Sequence, residues 1–327
     1  MKILSPPSVL LTGAAGYLGS ILAKRLADDL LAGKISALVC TDVRDTPARL
    51  RLPGAVYAQA DVRDGERLKA LMAAHRPHVV VHLAAVIDSH SMPRQMQYEI
   101  DVNGTQNVVE ACLQAGVQRL IVSSSGAAYG YYPDNPAWLT EGHPLRGNEI
   151  FAYSCHKRLV EEMLATYRKS HPQLQQTILR LCTVLGTSTD NIITRFFHRK
   201  SMPGVKGPES PFVFIWDEDA AACFRHAIFS EVTGIFNVAG DGAILPSELA
   251  QIMGKPYRPL PPGLFRTILR VSHALRLSPY GPEQLLFIRF RPVLDNQRMK
   301  EVLGFFPEKT SLEAFESFCY NMVHKNM

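Results

Sequence analysis

Short apolar runs alternate with segments of helical period along most of this chain. Val9, Leu10 and Leu11 form a run of strand length; a glycine-punctuated turn over residues 12–19 and an amphipathic helix over 21–30 follow. Ala37–Asp42 reads as a second buried strand ending in an acid, and residues 56–62 as a third carrying Asp61 near its end. A helix follows over 64–75. Residues 78–85 are almost unbrokenly apolar, the pattern of a strand covered on both faces. A helix is expected over 93–115, a strand over Arg119–Ser125, a long amphipathic helix over 153–169 and a strand over 176–182. This alternation predicts an α/β fold with a parallel, doubly wound sheet whose ligand lies at the carboxyl ends of the strands. Gly13, Asp42, Asp61, Ala84 and Ser125 would all fall along that edge.

Beyond Val184 the pattern loosens, and Pro and Gly cluster over residues 203–208. Residues 216–220 open a helix with acids in its first turn, and 234–239 return as a strand. Residues 241–327 read as a region of short helices. The expected division is a cofactor domain over 1–184, with 214–240 returning to it, and a smaller substrate-binding region from 185–213 and 241–327.

Composition narrows the class. The chain has 327 residues, 46% hydrophobic and 20% charged, enough for a sizeable core. A net charge of +5, mild and spread along the sequence, does not argue for a nucleic-acid partner, so none is expected, and it suits an anionic ligand. Cys40, Cys112, Cys155, Cys182, Cys223 and Cys319 include no C-x-x-C pair and mostly sit in apolar runs. They are expected to be reduced and buried, in a cytoplasmic setting. Residues 1–7 carry too short an apolar run for a signal peptide, and no stretch has the length of a membrane span.

Two features carry chemistry. Gly13, Gly16 and Gly19 recur every third residue between strand and helix, where backbone N–H groups can meet a pyrophosphate. By itself the spacing also fits an ordinary tight turn. Asp42, at the end of the next strand, stands where a carboxylate would accept the adenosine ribose hydroxyls and repel a 2′-phosphate, which favours NAD over NADP. Arg44 and Arg49 nearby keep NADP open. Tyr153 and Lys157 are four residues apart and share a helix face. A free tyrosine is a poor base at neutral pH, and a lysine ammonium beside it stabilises the phenolate. Tyr153 could then take a proton from a substrate hydroxyl, with Ser125 bonded to the same oxygen.

The motifs Thr12-Gly13-x-x-Gly16-x-x-Gly19, Asp61-Val62, His82-Leu83-Ala84-Ala85, Asn103-Gly104-Thr105, Ser123-Ser124-Ser125 with Tyr129-Gly130, and Tyr153-x-x-x-Lys157 together resemble the extended short-chain dehydrogenase/reductase family. Within it the chain is most similar to the NAD-dependent epimerase/dehydratase branch, typified by UDP-glucose 4-epimerase. The likeness covers residues 9–186 closely and 212–240 loosely. The resemblance implies a Rossmann-like fold and a catalytic set of Ser125, Tyr153 and Lys157. It implies NAD contacts from Gly13, Ala15, Gly16, Tyr17, Leu18 and Gly19, from Asp42 and Val43, and from Asp61 and Val62 at the adenine. Leu83, Ala84, Ala85, Ser123, Ser124, Cys182, Tyr153 and Lys157 complete that set, with Asn103 supporting the strand beside the site. It also implies a homodimer formed through the helices beginning near Pro93 and Tyr153.

Departures from the family bear on the substrate. Ser125 is followed by Gly126-Ala127-Ala128, so the acid pair of the 4,6-dehydratases is missing and a dehydratase is set aside. Phe212 stands where nucleotide-sugar members carry a diphosphate-clamping arginine. Asn191, with Ile192, and Arg291 or Arg289 are the candidates for contacts to a nucleotide-sugar. The stretch 264–276 reads as an apolar and basic helix, either a lid over the pocket or a surface that meets a lipid-like substrate or a membrane face. The expected activity is that of a nucleotide-sugar epimerase. Net oxidation or reduction of a bulky non-nucleotide alcohol, as in the 3β-hydroxysteroid dehydrogenase branch, is the alternative, and a non-catalytic NAD-binding regulator a third. His82, His90, His143 and His156 show no metal-site spacing.

Overall fold

The computed structural model describes residues 5–87, 92–278 and 281–324. Its centre is a seven-stranded sheet, all parallel. The strands are β1 (Ser8–Thr12), β2 (Ala37–Asp42), β3 (Val56–Gln59), β4 (Val79–His82), β5 (Arg119–Ser125), β6 (Gln175–Leu181) and, later in the chain, Gly234–Val238. Helices α1 (Tyr17–Leu31), α2 (Gly65–His75), α3 (Arg94–Tyr98), α4 (Gly104–Ala115) and α5 (Ala152–Ser170) connect them. A π-helical turn, Glu99–Asn103, joins α3 to α4. The remaining elements are β7 (Thr183–Leu185), α6 (Ile192–Phe197), β8 (Met202–Val205), β9 (Phe214–Trp216), α7 (Asp217–Phe229), β10 (the strand Gly234–Val238), α8 (Pro246–Ile252), β11 (Tyr257–Leu260), α9 (Pro262–Ala274), α10 (Gln284–Arg289) and α11 (Ser311–His324).

The sheet order is β10-β6-β5-β4-β1-β2-β3. The chain winds outward in one direction from β1 and in the other from β4, so the order reverses between these two strands. The crevice at their carboxyl ends is where a doubly wound sheet takes its ligand. All seven strands overlap the runs marked in the sequence, β3 and β4 stopping at Gln59 and His82 where longer strands are expected, and the α/β, Rossmann-like expectation holds. Both faces of the sheet are covered, one by a cluster around Leu11, Leu22, Leu26 and Phe224, the other by one around Leu10, Met72, Val108 and Leu164.

The smaller region has its own aromatic core, in which Phe197, Phe212, Phe214 and Phe315 stack or meet edge to face. It contains the parallel pair β8 with β11, where the sequence pattern showed only loops and short helices, and at its border with the sheet unit β7 pairs parallel with β9. Met299, Leu303 and Phe305 leave this region and pack into the sheet's first cluster. Helix α1 starts at Tyr17, four residues before the apolar period becomes visible, because the glycine turn is shorter than its motif.

Candidate active site

The glycine turn is held by sterics at both ends. Gly13 has φ +71°, and a Cβ there would lie 2.7 Å from the Ala84 backbone nitrogen. A Cβ on Gly19 would lie within 2.0 Å of the Gly13 carbonyl oxygen, so helix α1 can sit on the turn only without one. The result is a bare backbone cradle ending at the N-terminus of α1, the polarity that favours an anion. Asp42 closes its side. The Ala15 N–H donates to Asp42 Oδ2 at 3.0 Å, and the Arg44 N–H donates to Oδ1 at 3.1 Å. The Arg44 guanidinium folds over the same carboxylate and donates to the Ala15 carbonyl at 2.6 Å. Val43 is exposed on this rim. Asp61 pairs with Arg63, whose hydrogen bonds hold its carboxyl below the usual carboxylate range. Val62 is buried against Gly104.

Tyr17 is engaged elsewhere than the resemblance implies. Its hydroxyl donates to Asp217 Oδ2 at 2.5 Å and accepts from Thr189 at 2.9 Å, and burial pushes its pKa up to about 12. The side chain thus ties the first turn of α1 to the starts of α7 and the 186–189 loop. It leaves only the Tyr17 backbone for a cofactor.

Helix α5 and strand β5 bring the catalytic candidates together. Tyr153 and Lys157 lie on one face of α5, with the Lys157 Nζ 5.7 Å from the Tyr153 ring centroid. Lys157 is buried, and its Nζ donates to the Ser123 carbonyl at 2.9 Å, which pins it to the end of β5. Ser125 is two residues further on, where its Oγ accepts from the Ala127 N–H at 3.1 Å and caps a short 3-10 turn. Side chains alternate across a strand. Ser124 accordingly points to the other side of β5 and donates to Glu161 Oε1 at 2.5 Å, so its side chain is spent away from the site. Behind it, Glu161 and Arg180 form a buried ion pair at 2.7 Å. Arg180 donates on to the Tyr129 hydroxyl at 2.7 Å, and Tyr129 donates to Asn237 at 2.8 Å. This network joins β5, α5, β6 and β10 directly behind the catalytic strand end, and no local period in the sequence announces it.

Asn103 is corrected by two residues. It is exposed at the end of the π turn. Asp101 holds the supporting place: its Oδ1 accepts the Val86 N–H at 2.8 Å, and its Oδ2 meets His156 Nδ1 on α5 at 3.1 Å. Two residues rotate a helical position by roughly 200°, enough to exchange the inner face for the outer. Thr105, four residues after Asp101, shares its inner face.

The Thr105 hydroxyl donates to the Asp101 carbonyl at 2.6 Å, so toward His82 Nε2, 3.0 Å away, it can only accept. His82 therefore carries its proton on Nε2, and Nδ1 accepts from Thr12 at 2.7 Å. Burial, then the Lys157 charge, pull the His82 pKa down to about 3. An unfolded histidine titrates near about 6.5, so between the two values the unfolded chain binds a proton that the folded chain refuses. Stability contributed by neutral His82 is complete above that window and drains as pH falls through it. We expect a His82→Gln variant to lose less stability than the wild type between about pH 7 and about pH 5, read as urea midpoints. An equal loss would remove His82 from the acid response.

Leu83, Ala84 and Ala85 follow β4 beside the glycine turn, with the Leu83 N–H donating to the Thr12 carbonyl at 3.2 Å. Cys182 packs at the sheet edge against both the first cluster and that around Tyr129. Asn191 caps α6, its Oδ1 accepting the Ile193 and Thr194 N–H groups at 2.9 Å, so only its amide nitrogen remains for a ligand. The Ile192 side chain and His90 lie outside the described residues. His143 bonds to Thr140, and among the described residues no group of three or more candidate ligands could hold a metal. All six cysteines are free thiols.

A small pocket opens in the smaller region, lined in part by Phe196, Glu209, Phe212, Tyr257, Arg289 and Arg291. The Arg291 guanidinium stacks 3.7 Å over the Phe212 ring and donates to the Ser210 carbonyl at 2.7 Å. Its Nε is buried and makes no hydrogen bond. Burial works against the Arg291 charge, opposed by Tyr257 and Glu209. From this region Phe287 on α10 meets Tyr131 edge-on, 5.4 Å between centroids, and Tyr131 meets Phe151 just before α5.

Comparisons with known proteins agree with this architecture. The model of the NAD dependent epimerase/dehydratase family matches residues 9–239. The uncharacterized protein Rv0501 of Mycobacterium tuberculosis is 26% identical over 317 residues, 96% of this chain and 83% of that protein. The UDP-glucose 4-epimerase of Yersinia pestis is 33% identical over 192 residues, 57% of this chain and 55% of its own length. Among solved structures, the UDP-glucose 4-epimerase of Thermotoga maritima with UDP-glucose superposes with a TM-score of 0.74 at 19% identity, covering 98% of this chain and 100% of that one. The UDP-glucose 4-epimerase of Thermus thermophilus in complex with NAD gives 0.72 at 23% identity, covering 97% and 99%. At these identities the structural likeness speaks for the fold.

Proposed function

Because this chain belongs to the NAD dependent epimerase/dehydratase family, we propose that it moves a hydride at a secondary alcohol carbon of a small-molecule substrate, with Tyr153 as the proton-transfer group. The observation that carries this reading is the convergence of Tyr153, Lys157 and Ser125 on the carboxyl end of β5, with Lys157 bonded to the Ser123 carbonyl. The glycine cradle, which a Cβ at Gly13 or Gly19 would fill, fits a pyrophosphate, and the Asp42 carboxylate beside it fits ribose hydroxyls. NAD bound there supplies the hydride acceptor and donor. Asp61 with Val62, the segment 83–85, the Ser123 backbone and Cys182 complete the proposed cofactor contacts.

In this reading Ser125 Oγ and the Tyr153 hydroxyl bracket the substrate oxygen. Tyr153 takes the hydroxyl proton as the carbonyl forms and returns it when the alcohol is remade. The Lys157 ammonium stabilises negative charge on the tyrosine oxygen through the low-dielectric strand end. The bracket of hydroxyls also fixes the reacting oxygen in line.

The first reading of the substrate is a nucleotide-sugar, turned over by epimerisation. It is supported by the family and by the likeness of the first half to UDP-glucose 4-epimerases. The pocket chemistry favours the second reading, a bulky non-nucleotide alcohol or ketone. Phe212 takes the place of a diphosphate clamp, its face is covered by Arg291, and Glu209 stands at the same wall. Isothermal titration with UDP against UDP-glucose and a panel of secondary alcohols separates the two. Binding of UDP itself supports the nucleotide reading, and binding of the alcohols alone supports the second.

Asp42 makes NAD the preferred cofactor. Thermal-shift titration of the wild type should show stronger stabilisation by NAD than by NADP, and Asp42→Asn should narrow the difference by admitting the 2′-phosphate beside Arg44. Preference of the wild type for NADP would overturn this assignment. We also infer a homodimer through the helices beginning near Arg94 and Ala152, where Met96 and Ile150 are exposed; light scattering in solution tests it.

A further inference from the structure

Helix α9 presents an apolar stripe outward. Leu264, Ile268, Val271 and Leu275 recur at i, i+4, i+7 and i+11, and each is between 47% and 63% exposed. Leu277, just past the helix, is 77% exposed. Within α9 only Phe265 is buried. The helix is therefore seated through one edge, and its largest apolar face is turned away from the protein. A lid helix would do the reverse, laying that face on the pocket, and the pocket wall is formed instead by Ile288 and Arg289 around the end of α10.

The charge along this segment of chain has one sign. Residues 255–278 contain Lys255, Arg258, Arg266, Arg270 and Arg276 and no aspartate or glutamate. The four arginines are exposed, and none is ion-paired among the described residues. Arg266, Arg270 and His273 form a second ridge at i, i+4 and i+7, across the helix from the leucine stripe. Lys206 is exposed beside the start of this segment, its N–H bonded to the Leu260 carbonyl. An apolar stripe backed by unpaired arginines is the chemistry of a helix that lies in the plane of an anionic bilayer surface. The stripe enters the acyl boundary and the arginines reach the phosphates along flexible stems. Among the described residues no helix is long and apolar enough to cross a membrane, so the contact is peripheral.

We propose that α9 is a docking surface for anionic lipid, which brings the protein to a bilayer with Leu264, Ile268, Val271, Leu275 and Leu277 inserted. The surface stands apart from the hydride-transfer reading and does not depend on it. It is nonetheless near the site, since α9 contacts α10 and Phe287 of α10 packs on Tyr131.

Co-sedimentation of the full chain with phosphatidylglycerol/phosphatidylcholine vesicles tests the proposal, with pure phosphatidylcholine as the reference. Binding is expected to need phosphatidylglycerol and to fall as salt rises. Ile268→Glu with Val271→Glu should lower the bound fraction roughly tenfold or more, the loss expected when a buried aliphatic side chain is withdrawn from an apolar phase. Arg266→Glu with Arg270→Glu should abolish the preference for anionic vesicles. The urea unfolding midpoint must be equal in all variants, which shows that the fold is kept. Absence of vesicle binding, or binding unchanged in the glutamate variants, overturns the proposal. So does a stripe variant that changes the mass in solution while leaving vesicle binding intact, for the face would then belong to a second copy of the chain.

Discussion

Tyr153→Phe should lower turnover by about 10²–10⁴-fold, the range that a positioned proton-transfer group supplies. The substitution removes one oxygen from a half-buried ring and leaves the Lys157 bond to the Ser123 carbonyl in place. Stability and NAD-induced thermal shift should accordingly stay near wild type, while substrate turnover collapses. Lys157→Ala should also damage activity, but less cleanly. It opens a cavity at the end of β5 and removes a charge that helps keep His82 neutral as well as facing Tyr153. The contrast between a variant that loses only activity and one that loses activity with stability separates chemistry from scaffolding at this helix face. If Tyr153→Phe keeps full activity, Tyr153 is not the proton-transfer group.

The largest expected effect on stability comes from the ion pair behind the site. Glu161 and Arg180 have side chains 2% and 3% exposed, and the carboxylate accepts from the Arg180 Nε and Nη2 and from Ser124. Removing one partner of such a pair leaves a desolvated charge and costs about 3–5 kcal/mol. Glu161→Gln should show that loss in a urea titration with the slope unchanged. Replacing both residues by apolar ones of similar volume removes both charges at once. Glu161→Leu with Arg180→Met should therefore cost less than the sum of the two single changes. A Glu161→Gln variant as stable as the wild type would mean that the pair is solvated in solution.

Much of this molecule is written locally. Most strands of the sheet are apolar runs buried on both faces, so the order of elements could be read from hydrophobicity alone. The glycine turn was legible because a Cβ at Gly13, which sits at φ +71°, or at Gly19 would run into backbone atoms. Tyr153 and Lys157 were legible because a helix brings i and i+4 together. What stayed hidden depends on long-range pairing. Glu161 meets Arg180 across 19 positions of chain and Ser124 across 37, and Tyr17 finds Asp217 200 residues away, with no period to mark any of them. The Asn103-Gly104-Thr105 motif points to Asn103 rather than Asp101, because burial depends on the rotation of the π turn, which the sequence does not show. The outward face of α9 was equally hidden. Its period predicts an amphipathic helix and does not say which side meets the protein.

Whether the β5–α5 corner passes a hydride between substrate and bound NAD under the control of Tyr153 can be watched directly. Stopped-flow mixing of the NAD-saturated protein with UDP-glucose, and in parallel with the secondary-alcohol panel, follows the absorbance of reduced nicotinamide. The expected result is a rise in that absorbance with at least one of these compounds in the wild type, transient for an epimerisation and lasting for a net oxidation, with Tyr153→Phe flat. Product formed by the wild type with no reduced nicotinamide at any time, or an equal rise in Tyr153→Phe, would contradict it.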